Sequence, residues 1–152
     1  RQQYEDLNNN IEVVIGSQDD PEILSHIKET YPRIDIIIDD GSHISQHMIK
    51  TFELMYDYVH ENGVYLIEDT HCCYWKSHEG GYKKSDSFIE FAKDKIDELG
   101  AVTSAKAVKP NLFTLTTDHI SVYDSIIVFE KKIQGLRQPI RTSIMVDIKD
   151  NV

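Results

Sequence analysis

Short apolar runs and longer amphipathic ones take turns along the chain. Ile11 to Ile15 (IEVVI), preceded by a polar decapeptide that reads as the tail of a helix plus a turn, predicts a short strand stopped by Gly16 and the polar group Ser17, Gln18 and Asp19. Asp20-Pro21-Glu22 then supplies an N-cap acid and a first-turn proline. The helix they open carries Ile23, Leu24 and Ile27 on one face and ends before Pro32. Ile34 to Ile38 is a continuous β-branched run, the pattern of a strand covered on both faces. From Ser45 to His60 the apolar residues Met48, Phe52, Met55 and Val59 fall at helical spacing, with Asn62-Gly63 as the expected C-terminal cap. Val64 to Ile67 predicts the next buried strand.

Beyond Asp69 the periodicity breaks into a loop, to Tyr82, rich in aromatic, His and Gly residues. Ser85 to Leu99 is amphipathic again, with Phe88, Phe91, Ala92 and Ile96 inward and Gly100 as its stop. Ala101 to Asp118 has little periodicity and reads as an extended connection. ISVYDSIIVFE, from Ile120 to Glu130, is one long strand or a hairpin turning near Asp124. Gln134 to Val152 reads as a polar tail. Strands alternating with helices indicate an α/β fold with a largely parallel sheet.

Composition narrows the function classes. Of 152 residues, 40% are hydrophobic, enough for a core, and the formal net charge is −10. That balance argues against nucleic acid or an anionic membrane surface as partner, since both need clustered Lys and Arg. No apolar run reaches membrane-spanning length. The two cysteines, Cys72 and Cys73, are adjacent, which suits free thiols in a reducing compartment, so a cytoplasmic protein is expected.

Chemistry concentrates at two strand ends. The run at Ile34–Ile38 finishes in Asp39 and Asp40, and the run at Val64–Ile67 finishes in Glu68 and Asp69. If one helix joins these strands in a right-handed crossover, both acidic pairs reach the same sheet edge, where open α/β sheets bind ligands. Asp40, Glu68 and Asp69 are hard oxygen donors, suited to Mg²⁺, Mn²⁺ or Ca²⁺ rather than zinc. A single acidic pair at a strand end is more often a cap or a solvated turn; two pairs on successive strands favour a site. His43 lies just past the turn that Gly41 permits, and an imidazole there suits a general base. His47, His71 and His78 with the cysteines raise a zinc reading, but neighbouring cysteines fit tetrahedral coordination badly. Tyr74 and Trp75 would lie over the site, as an aromatic wall for a substrate or as loop packing.

IDIIIDDGSH, a helix, and then GVYLIEDTHCCYW resemble the Mg²⁺-dependent, S-adenosylmethionine-using sugar O-methyltransferases of the mycinamicin type. The resemblance runs from about Tyr4 to Lys131. It implies a Rossmann-like methyltransferase fold with helices on both faces. It implies Mg²⁺ on Asp40, Glu68 and Asp69, with His43 as the catalytic base. Ser17 and Gln18 fall where the family contacts the adenine of S-adenosylmethionine, and Asp39 lies close to the cofactor's methionine end. The implied acceptor is a sugar hydroxyl of a glycosylated metabolite. The family's glycine-rich turn and second-strand acid have no counterpart here. The resemblance therefore implies a partial catalytic domain over residues 1–132, without the first two strands, followed by a tail over 133–152. Alternatively the chain pairs with another copy of itself. Two other readings use the same acids: a Mg²⁺-dependent phosphoester hydrolase, for which no P-loop or Asp-x-Asp is present, and a non-catalytic metal- or partner-binding domain.

Overall fold

The computed structural model describes residues 11–134, so the polar opening and the tail expected beyond Gln134 lie outside the described residues. Helix α1 spans Pro21–Thr30, and the Asp20 carboxylate accepts from the Glu22 amide at 2.9 Å, the cap that the Asp-Pro pair predicts. Strand β1 (Ile34–Asp39) leads into α2 (Ser45–Met55) and, after a 3₁₀ turn at Tyr56–Tyr58, into β2 (Val59–Ile67). Two short 3₁₀ turns follow at Thr70–Tyr74 and Lys76–His78, and then α3 (Phe88–Leu99), capped by Ser87 and ending at Gly100. A short helix α4 (Leu112–Thr116), closed by an Asn111/Thr114 capping box, runs directly into β3 (Thr117–Val122), and β4 (Ile127–Lys131) completes the sheet.

The strand order is β1-β2-β4-β3, with β1 and β2 parallel and the other two pairings antiparallel. The architecture is α/β as expected, but the sheet is mixed rather than largely parallel. The physical reason is the tight turn after β3, closed by the Tyr123 amide on the Ile126 carbonyl, since so short a connection joins only antiparallel strands. That turn also settles the long-strand-or-hairpin choice in favour of the hairpin.

Four further expectations are corrected. Residues 11–15 form no strand, and Ile15 is 78% exposed; an apolar run is a strand only if a neighbour supplies its ladder, and none does among the described residues. Helix α2 stops at Met55, and Asn62-Gly63 lies inside β2 instead of capping a helix. A Cβ on Gly63 would stand 2.4 Å from the Asp35 carbonyl, so glycine is needed here for close approach of two backbones. The register slips at the same place, from Ile34↔Val59 to Ile36↔Val64. The stretch expected as an extended connection holds a 3₁₀ turn (Ala101–Thr103) and α4. Finally, helices do not cover both faces of the sheet among the described residues. All contribute to one core, on the face of Tyr65, Ile67, Ile127 and Phe129, while Ile36 and Ile38 on the other face are 64% and 60% exposed.

That core is aromatic. Phe52 of α2 stacks on Tyr56 at 4.6 Å between ring centroids and meets Phe129 at 4.7 Å, with Tyr65 edge-on at 5.1 Å. Such pairs add about 0.5–1.5 kcal/mol each beyond their buried area. Helix α2 is thereby pinned over β2 and β4, which fixes the turn at its N-terminus.

Candidate functional site

Because β1 and β2 are parallel, their acidic tips emerge at one end of the sheet, as the crossover predicts. The two tips are tied directly, the Glu68 amide donating to the Asp39 carbonyl at 2.9 Å. Carboxylate oxygens of Asp40 and Asp69 and a ring nitrogen of His43 all lie within 4.8 Å of one another. His43 Nε2 sits 3.8 Å from Asp40 Oδ1 and 3.7 Å from Asp69 Oδ2. Glu68, the third expected ligand, is not in this group. His43 and Asp69 both adopt left-handed backbone conformations (φ 54° and 52°), unfavourable for residues with a Cβ and typical of functional sites. The Asp69 conformation is braced from the far hairpin: the Thr70 amide donates to the Ser125 carbonyl at 3.0 Å, and His71 Nδ1 lies 2.6 Å from the Ser125 hydroxyl.

A groove of about 320 Å³ adjoins the cluster, and Ser17, Gln18, Asp39 and Asp40 all line it. The three residues expected at the cofactor therefore share one cavity with a residue expected at the metal. Asp39 is buried, and desolvation pushes its carboxyl above the usual range. Hydrogen bonds from Gln18 Nε2 at 2.9 Å and the Tyr65 hydroxyl at 3.3 Å work against that rise by favouring the carboxylate. Tyr65 reads as core from its strand position alone, so nothing in the sequence pattern marks its hydroxyl as a partner of Asp39. Ser125 is likewise invisible in sequence, because only the hairpin geometry carries it to the site.

The loop after β2 arches over this edge. Tyr74 and Trp75 are about half exposed, and Trp75 lies between His71 and His78, with ring centroids at 4.8 and 5.6 Å. Cys72 and Cys73 are buried free thiols, and His47 Nδ1 is 2.9 Å from the Ser42 hydroxyl. The candidate metal group among the described residues contains neither cysteine.

The donor set fits a hard cation. Asp40 and Asp69 supply two carboxylates, and their side chains are 59% and 46% exposed, leaving room for the waters that Mg²⁺ retains. An imidazole nitrogen beside two carboxylates is a poor third ligand for Mg²⁺ but a suitably placed proton acceptor.

No protein-family model matches the chain. Individual proteins do. L-olivosyl-oleandolide 3-O-methyltransferase of Streptomyces antibioticus is 44% identical over 63 residues, covering 41% of this chain and 16% of that protein. Demethylmacrocin O-methyltransferase of Streptomyces fradiae is 37% identical over 92 residues, covering 59% and 23% respectively. Among solved structures, the MycE methyltransferase of the mycinamycin pathway, in complex with Mg and SAH, superposes with a TM-score of 0.75 at 29% identity, covering 83% of this chain and 34% of that one. The chain thus spans about a third or less of the length of these proteins. Over that shared part, it is homologous to the Mg-dependent macrolide and sugar O-methyltransferases.

Proposed function

We propose that this chain carries the metal and acceptor half of a Mg²⁺- and S-adenosylmethionine-dependent O-methyltransferase acting on a sugar hydroxyl of a glycosylated metabolite. The observation that carries this reading is the convergence of Asp40, His43 and Asp69 beside the groove lined by Ser17, Gln18 and Asp39. In this reading the fold is the Rossmann-like methyltransferase fold, with residues 1–132 as part of the catalytic domain and 133–152 as its tail.

Asp40 and Asp69 would hold the ion, with Glu68 adjacent in sequence as a further carboxylate. When bound, Mg²⁺ supplies Lewis-acid stabilisation of a developing alkoxide. His43 would take the acceptor's proton at Nε2, the nitrogen that already faces both carboxylates. Ser17, Gln18 and Asp39 form the wall on the cofactor's side, and the exposed rings of Tyr74 and Trp75 offer a surface on which an acceptor sugar can stack. Their main contribution to rate is positioning.

Calorimetric titration of the chain with Mg²⁺ tests the metal assignment. Wild type should bind, and Asp40→Asn should weaken binding by roughly tenfold or more, because one of few charged ligands is lost. Equal affinity in Asp40→Asn, or no Mg²⁺ binding by wild type, removes the metal from the reading.

A further inference from the structure

The side chain of Gln18 makes an unusual set of contacts. Both hydrogens of its amide point into the protein, one toward Asp39 Oδ1 at 2.9 Å and one toward Thr51 Oγ1 at 3.3 Å, while its Oε1 accepts from the backbone amide of Ser42. The Thr51 hydroxyl lies in turn 3.1 Å from the Gln18 carbonyl. Gln18 therefore joins the end of β1 to the first turns of α2, across a gap of more than twenty residues in sequence. The fit over the intervening turn is close, since a Cβ on Gly41 would stand 2.1 Å from Gln18 Oε1. Asp40 and Gly41 lie between the two points that Gln18 holds, Asp39 and Ser42. His43, with its left-handed backbone, follows immediately.

A glutamine with both donor hydrogens engaged inside the protein is poorly placed to read the polar edge of a ligand. It is well placed to hold a loop. We infer that Gln18 is a positioning residue, a clamp that fixes the Asp39–Ser42 turn so that Asp40 and His43 face Asp69 across the cation position. The inference rests on the metal reading above for its purpose, but not for the clamp itself. Partners beyond the ligands themselves typically control metal affinity by 10–100-fold. Gln18 would act earlier still, on the backbone that presents the ligands.

The test uses the full chain, Mn²⁺ as a probe for the Mg²⁺ position, and hydrogen exchange at the Ser42 amide read by NMR. Gln18→Met keeps the length of the side chain and removes its hydrogen bonds. It should weaken Mn²⁺ binding by roughly tenfold and speed Ser42 exchange by a similar factor, with cooperative thermal melting retained. Thr51→Val removes one support of the clamp, and both readouts should move the same way by less. A folded Gln18→Met with wild-type Mn²⁺ affinity overturns the inference, as does a Ser42 amide already unprotected in wild type. If Gln18→Met does not fold, unchanged exchange and affinity in Thr51→Val overturn it equally. Wild type that binds no Mn²⁺, yet protects a Ser42 amide that Gln18→Met exposes, defeats the metal reading alone and leaves the clamp standing.

Discussion

The two faces of the sheet both carry apolar strand residues but differ in what meets them. On one, Tyr65 and Phe129 are completely buried under α2 and its neighbours. On the other, Ile36 and Ile38 of β1 are mostly exposed, beside Val64, Leu66 and Val128, which are half-buried. A continuous β-branched run reports that both faces of a strand are apolar. It does not report that both are covered, and β1 separates the two statements.

Four substitutions would break or sharpen this contrast. Phe129→Ala removes a ring that packs against Phe52, Tyr56 and Phe113, and should cost about 3–5 kcal/mol in urea unfolding. Tyr56→Phe keeps the ring but loses the hydrogen bond between its hydroxyl and Thr117, 2.8 Å away in the core. A loss of about 1–2 kcal/mol is expected, because Thr117 is left buried with one partner fewer. Ile36→Thr and Ile38→Thr on the open face should each stay within about 0.5 kcal/mol of wild type, as exposed β-branched positions do. If either costs as much as Phe129→Ala, the open face is covered in solution and the contrast between the faces fails.

Legibility from sequence follows the range over which each feature is encoded. The α1 start at Asp20-Pro21, the α3 stop at Gly100 and the β1 start at Ile34 are local signals, and they are present as read. The α2 terminus is not, because Gly63 owes its identity to the Asp35 carbonyl on a neighbouring strand and not to a helix cap. At the site, Asp40, His43 and Asp69 come together because a crossover delivers both strand ends to one edge, a rule that needs only the order of elements. The supports of that cluster lie beyond such rules. Gln18 reaches it across a helix, Tyr65 from the middle of a strand, and Ser125 from a hairpin more than fifty residues further on.

The Ser125 contacts have a consequence for modularity. The segment from β1 through β2 looks self-contained, with Asp40, His43 and Asp69, the connecting helix and a parallel pair in one continuous stretch. Yet the left-handed turn at Asp69 is followed at once by an amide anchored on the β3–β4 turn, so half of the carboxylate pair takes its bearing from the other end of the chain. The site is therefore not a transferable cassette. A graft of the acid-tipped crossover onto another sheet would need to carry the hairpin with it. Lengthening that hairpin turn by a residue would shift Asp69 without touching Asp40, His43 or Asp69 itself.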